Sequence, residues 1–132
     1  MVEYGGFCMV KLGKVEFKKR LEEIRQKRDS EELEKVVLSI GLNDKDLHYQ
    51  KVGDDDAYNK IVETLGLCGI IGATLNGGAI GIYNGEREKS VQITLYKVNM
   101  QKVKAFVEKI KIELNQESVA VEVVKNIEVK FM

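Results

Sequence analysis

Residues 79–96, AIGIYNGEREKSVQITLY, decide the fold because they contain a complete β-hairpin signal. The dipeptide Asn84-Gly85 is typical of a two-residue hairpin turn and follows a short apolar run. Beyond it, Val91, Ile93 and Leu95 alternate with polar or aromatic residues, which is the period of a half-buried strand. The segment therefore predicts two antiparallel strands joined at Asn84-Gly85.

Amphipathic helices are predicted on both sides of this hairpin. Asn99 is placed to cap the downstream helix, and three aspartates, Asp54 to Asp56, favour the start of the upstream one through the helix dipole. The inner positions of the upstream helix are Tyr58, Ile61, Val62 and Leu65, and those of the downstream helix are Val103, Phe106, Val107, Ile110 and Leu114. Their spacing of three and four residues is that of helices with one apolar side.

Further strands are predicted at Leu47–Val52, at Val119–Val123 and, after a turn at Lys125-Asn126, at Ile127–Phe131. From Leu47 onward the order is strand, helix, strand pair, helix, strand. This order predicts an α+β fold in which an antiparallel sheet carries helices on one face, the ferredoxin-like arrangement, over residues 46–132.

The preceding residues, 1–45, are predicted to be a helical extension of a single domain spanning 1–132. One helix covers Lys14–Arg28, and a second begins at Asp29 or Ser30 and ends before Gly41. The stripe of the second helix consists of Leu33, Val36, Val37 and Ile40. An additional strand at Val2–Leu12 and an alternative start at Met9 stay open.

The composition limits the partners. The chain has 132 residues, no proline, and 21 basic against 21 acidic residues, so no overall charge attracts nucleic acid or an anionic membrane. No apolar run is long enough to span a bilayer, and a cytoplasmic location is predicted. Two cysteines, Cys8 and Cys68, and one histidine do not make an ordinary zinc site, and the cysteines are interpreted as small buried apolar residues.

The glycines of the middle segment allow two interpretations. Gly77, Gly78 and Gly81 are followed by strand-like residues, and the nucleotide-binding pattern of a glycine loop before a helix is missing. The favoured interpretation is that Gly72, Gly77, Gly78 and Gly81 permit a bulge, a tight bend or a close backbone approach in curved strands. The alternative is a ligand cavity lined by exposed backbone. In that hypothesis basic side chains neutralise an anionic ligand and a tyrosine stacks on a base. The ligand-binding residues it names are Arg28, Gly77, Gly78, Tyr83, Arg87, Lys89 and Tyr96.

Other chemically active residues are interpreted as structural. His48 has no nucleophile and acid placed beside it by a known motif. Asp54 to Asp56 lack the spacing of a calcium loop, and the charged run Glu86–Lys89 is typical of a solvated hairpin. No catalytic residue, metal site or cofactor is therefore predicted, and the basic residues of the first helix are interleaved with glutamates that make nucleic-acid binding a minority interpretation.

A resemblance is carried by YNGEREKSVQITLY (83–96), the helix after it, LNQESVAVEV (114–123) and the closing EVKF (128–131). These segments resemble the carboxy-terminal part of small ferredoxin-like domains of unknown function from bacteria and their phages. The resemblance implies the fold and a phage-encoded protein, and it implies no activity. In shape the predicted unit is also similar to small trimeric signalling and metal-tolerance proteins, whose ligand motifs are not found here.

These observations favour a non-enzymatic binding protein that sequesters or senses a small anionic ligand such as a nucleotide. The alternative is a protein-interaction module or inhibitor that acts through a sheet edge or the amino-terminal helices, and an enzyme is a third possibility with no residue set to name. A homo-oligomer is expected because the alternating segment Ile127–Phe131 would leave an unpaired sheet edge.

Overall fold

A computed structural model describes residues 14–132, except for the side chains of residues 28 and 29. The predictions for Val2–Leu12, Met9 and Cys8 fall outside these residues. The chain divides into two compact units, Met1–Glu31 and Glu32–Met132. Helix α1, Lys14–Ser30, is the described part of the first unit, which confirms the first predicted helix.

The second unit contains six elements in the order strand, helix, strand, strand, helix, strand. They are β1 (Glu32–Gly41), α2 (Asp54–Leu67), β2 (Thr74–Tyr83), β3 (Glu86–Asn99), α3 (Met100–Glu113) and β4 (Ala120–Val124). The strands form one antiparallel sheet in the order β2-β3-β1-β4. The predicted fold class is confirmed: the protein is α+β, and this sheet order is consistent with a ferredoxin-like fold.

The hairpin that joins β2 and β3 has the predicted turn. Tyr83 pairs with Glu86, and the two residues between them, Asn84 and Gly85, have φ angles of 51° and 80°. Positive φ at both central positions defines the turn that matches the twist of a hairpin. The strand pair therefore forms where the Asn-Gly dipeptide indicates.

The two neighbouring glycines, Gly77 and Gly78, lie inside β2 at a shift of register against β3. Gly78 has φ +84°, and the hydroxyl group of Tyr58 occupies the space where a side chain at Gly77 would project. An extra residue in one strand is a β-bulge, and glycine permits its backbone. The interpretation of these glycines as a bulge is confirmed.

The second predicted helix is wrong, because residues 32–41 form β1 at the centre of the sheet. Every second residue from Val36 to Ile40 is fully buried. Leu38 is one of these residues, and the predicted helical stripe does not include it. Pairing with β3 on one side and β4 on the other overrides the local helical pattern. The sheet-containing unit consequently begins at Glu32, and the boundary predicted at residue 46 is too late; whether 1–132 is one domain stays a prediction.

Two predicted strands are wrong as well. Leu47–Val52 is a turn region, with a single bridge between Asn43 and Gln50. Ile127–Phe131 forms no strand, since the last strand of the described residues ends at Val124. Apolar and polar residues alternate in both segments, but the backbone of neither segment pairs with a described strand.

Helices α2 and α3 pack on one face of the sheet, where the core lies. Asn99 caps α3 as predicted, with its Oδ1 accepting from Lys102 N at 2.9 Å. The largest fully buried side chains of this core are Phe106, Leu38, Ile40, Ile61, Ile93, Leu95 and Ile110. Burying each such side chain stabilises the fold by roughly 1.5–3 kcal/mol.

Alternation along the strands sends the intervening residues to the opposite face of the sheet, which we call the cleft face. On β1 these residues include Ser39 and Gly41, and on β3 they include Glu88 and Ser90. No helix among residues 14–132 is long and apolar enough to cross a membrane.

Candidate active-site cleft

A cleft of about 580 Å³ lies on the cleft face, at the end of the sheet where β1 ends and β3 begins. It is bounded by the β2–β3 hairpin, by the loop after β1 and by the loop before β4. Its charged lining residues are Asp44, Lys45, His48, Glu86, Glu88 and Glu117. Four carboxylates against one lysine favour a cationic ligand over an anionic one.

Glu88 lies on the floor of this cleft and is half-buried. Its Oε2 accepts a hydrogen bond from Asn43 N at 2.9 Å. Its carboxylate occupies the space over Gly41 that a side chain there would fill. Glycine at position 41 therefore allows the carboxylate to lie close to the backbone of β1.

Tyr83 and Ser90 lie next to Glu88 on the same face. The ring of Tyr83 covers Gly81, and Ser90 Oγ is 3.0 Å from the point where a Cβ at Gly81 would lie. Ser90 is only 4% exposed, and its Oγ has no hydrogen-bond partner among the described residues. An unpaired buried hydroxyl costs roughly 1–3 kcal/mol relative to one with a hydrogen-bond partner.

The outer rim of the cleft brings His48 close to the hairpin. His48 Nδ1 lies 3.6 Å from Glu86 Oε1, and both side chains are largely exposed. The distance permits an ion pair when the imidazole is protonated. This pair places an imidazole against a carboxylate at the rim.

The wall formed by the loop after β1 is organised by Asp44, which is 7% exposed. Asp44 Oδ1 accepts from Asp46 N at 2.9 Å and from Leu47 N at 3.0 Å, and its Oδ2 accepts from Asn115 Nδ2 at 3.0 Å. These bonds, that of Asn115 above all and then that of Leu47, lower the pKa of Asp44 from its ordinary value. Asp44 is therefore held as a carboxylate in the cleft wall.

The predicted ligand-binding residues are not gathered in one place. Tyr83 lines the cleft, whereas Gly77 and Gly78 lie in the bulge of β2. Tyr96, on the distal part of β3, makes an edge-to-face contact with Phe131 at a centroid distance of 5.6 Å.

The predicted basic residues are also separated from the cleft lining. Lys89 alternates away from Glu88 and donates to Asp54 Oδ2 at 3.0 Å, while Arg87 is exposed. That bond, after one from Gln50, lowers the pKa of Asp54. The side chain of Arg28 is outside the described residues. The ligand-binding role of these residues stays a prediction.

The residues missed by sequence reasoning are Glu88, Asp44, Asn115 and Gln116. Glu88 was interpreted as part of a solvated hairpin, but its burial depends on Gly41 of β1. That contact is visible only once β1 is known to be a strand beside β3. No group of three or more metal-ligating side chains able to hold a metal was found within 14–132.

Comparison with known proteins identifies structural neighbours only. No protein-family model and no curated protein matches the chain. A phage SAM lyase in the apo state is 25% identical, with a TM-score of 0.56, over 70% of this chain and 80% of the lyase. A phage SAM lyase in complex with S-methyl-5′-thioadenosine is 24% identical, with a TM-score of 0.53, over 74% and 84% of the two chains.

These neighbours correct the predicted function. A non-enzymatic binding protein is contradicted by the likeness to a lyase, which is an enzyme that degrades S-adenosylmethionine. The weak resemblance to phage proteins is confirmed, although the neighbours are SAM lyases and not domains of unknown function. The small molecule of the second complex is a ligand of that neighbour.

Proposed function

We propose that the protein is a lyase that cleaves S-adenosylmethionine (SAM) and releases S-methyl-5′-thioadenosine, with the cleft around Glu88 as its active site. The observation that carries the proposal is the likeness to phage SAM lyase over 70% of the chain. The charge of the cleft supports it independently, because SAM carries a sulfonium and an ammonium group and the lining is acidic.

The chemistry of this reaction requires few protein groups. Release of the thioadenosine breaks the bond between the sulfonium sulfur and Cγ of the aminobutyrate portion, and the electron pair stays on sulfur, which becomes a neutral thioether. Cγ closes onto the carboxylate oxygen of the same substrate molecule and gives a lactone, so that no atom is added or lost. The enzyme then acts mainly by holding the carboxylate of SAM behind Cγ, in line with the departing sulfur.

Glu88 is assigned to recognition of the sulfonium or ammonium charge. Its half-buried carboxylate is held by Asn43 N, so it is oriented before the ligand arrives. Since the sulfonium loses its charge during the reaction, a carboxylate near sulfur binds the substrate more tightly than the transition state. Glu88 in that position contributes to KM more than to kcat.

Tyr83 supplies the aromatic surface of the site. It is 49% exposed at the mouth of the cleft, where its ring can stack on adenine or face a cation.

The test is to incubate the purified protein with SAM and to follow S-methyl-5′-thioadenosine and the four-carbon product by mass spectrometry. A sample without protein corrects for spontaneous breakdown of SAM. Glu88→Gln keeps the size of the side chain and should raise KM at least tenfold, while Glu108→Gln, on the exposed side of α3, should leave it unchanged. Product formation no faster than in the protein-free sample would refute the proposal.

Self-association and a cytoplasmic location stay predictions. The edge strand β2 exposes Ile80 and Ile82 to 59% and 69%, which supports pairing of this edge with a second copy. Sedimentation velocity should then show a species larger than the monomer, and a monomer at micromolar concentration would contradict it.

A further inference from the structure

The loop after β1 and the loop before β4, which are neighbours in the cleft lining, are joined by side-chain hydrogen bonds from two consecutive residues, Asn115 and Gln116. Asn115 Nδ2 donates to Asp44 Oδ2 at 3.0 Å and to Asp46 Oδ2 at 2.9 Å. Gln116 Nε2 donates to the carbonyl oxygen of Asn43 at 2.6 Å. We call Asn115 and Gln116 the clamp. Its partners are about 70 residues distant in sequence, so the clamp fixes the loop after β1 to the loop before β4.

The backbone at Asn115 turns the chain toward the loop after β1. Asn115 follows Leu114, the residue that caps the end of α3, and adopts φ +47°. Its carbonyl oxygen accepts from Lys45 N at 3.0 Å. Gln116 follows with 8% exposure, which is low for an amide side chain. A left-handed residue after a helix is a common way to turn the chain, and here asparagine adds two donors that glycine would lack.

The clamp is connected to Glu88 by hydrogen bonds to the backbone of Asn43. Asn43 accepts the bond from Gln116 at its carbonyl oxygen and donates its own N–H to Glu88 Oε2 at 2.9 Å. A displacement of the loop after β1 therefore moves the donor that orients the Glu88 carboxylate. Of the two clamp residues, Asn115 makes more bonds to that loop.

We infer that Asn115 is a positioning residue of the lyase site, which orients the Glu88 carboxylate toward the cationic substrate through the loop after β1. This inference rests on the proposed function. Asn115 itself does not touch the substrate in this assignment; it holds the loop after β1 in place through Asp44 and Asp46.

The variant Asn115→Gly tests the inference without straining the backbone. Glycine accepts the positive φ of position 115 and keeps the backbone bond to Lys45, so only the side-chain donors are lost. Asn126→Gly is the matched control, because Asn126 also has a positive φ, 59°, and does not line the cleft. We expect Asn115→Gly to raise KM for SAM about tenfold with kcat changed less than threefold, and Asn126→Gly to leave both constants unchanged.

A double-mutant cycle separates positioning from a general structural role. If Asn115 acts through Glu88, Asn115→Gly has no further effect on KM in the Glu88→Gln background, whereas two independent sites give multiplied effects. Multiplied effects, or an unchanged KM in the single variant, would overturn the inference. Gln116→Met provides a second variant that removes the bond to Asn43 and keeps a buried side chain of similar length.

The outcomes for the inference and for the proposed function are distinct. A wild-type protein that releases S-methyl-5′-thioadenosine while Asn115→Gly matches it in KM and kcat refutes only the positioning role. A wild-type protein without this activity refutes the lyase assignment, and the positioning role falls with it.

Discussion

The two faces of the sheet differ in what their side chains do, although they are made from alternate residues of the same strands. On the helix side, β1 and β3 present residues such as Leu38 and Ile93 that are fully buried against α2 and α3. On the cleft face, the same strands present Gly41, Glu88 and Ser90. The helix side stabilises the fold, and the cleft face carries a half-buried carboxylate and a buried hydroxyl without a hydrogen-bond partner among the described residues. Substitutions that affect one face and spare the other test this division.

The largest effect on stability is expected from Phe106→Ala on the helix side. Phe106 is fully buried in the core, and truncation of such a side chain lowers the free energy of unfolding by about 3–5 kcal/mol. The folded fraction should keep its KM for SAM, because the residue does not line the cleft. Urea denaturation and steady-state kinetics on the same preparation measure both quantities. A changed KM with a small loss of stability would show that the two faces are not independent.

On the cleft face, Gly41→Ala should change KM for SAM and leave the free energy of unfolding nearly unchanged. A methyl group at position 41 takes the space of the Glu88 carboxylate, whose flexible end moves away at little cost to the backbone. We expect KM for SAM to rise about tenfold, which is a loss of about 1.4 kcal/mol of binding free energy. Gly53→Ala is the matched control, since a Cβ there has no neighbour within 4 Å. Equal KM values for the two variants would count against the placement of Glu88.

The smallest effect is expected from Asp44→Asn, whose effect on the free energy of unfolding depends on pH. The pKa of Asp44 in the folded protein is lowered, first by the hydrogen bond from Asn115, so its stabilising contribution is present above its unfolded pKa of about 4 and is lost as the pH falls through the folded value. The free energy of unfolding of the wild type should exceed that of Asp44→Asn at pH 7, and the difference should shrink below about pH 4. Chemical denaturation of both proteins, from pH 7 down to the lowest pH at which they stay folded, measures this difference. A difference that is constant with pH would exclude a stabilising carboxylate at position 44.

The sequence predicted those elements whose signals are local. The Asn84-Gly85 turn, the Asn99 cap and the apolar side of α3 each depend on residues within a few positions of one another. Strand β1 has no such signal, because its register is set by β3 and by β4 far along the chain. Separation along the chain also explains why Glu88 is not predicted. The hairpin sequence alone predicts Tyr83 as a ligand residue, whereas the burial of Glu88 depends on its contact with Gly41.

The central position of β1 has a consequence for synthesis on the ribosome. This strand is made early, yet one of its two neighbours, β4, spans Ala120–Val124 and emerges last among the strands described. At about 5–20 residues per second, a nascent chain keeps one side of β1 unpaired for several seconds. During that interval the chain presents an apolar strand edge that chaperones can recognise, and a chain terminated before Ala120 would retain that edge permanently.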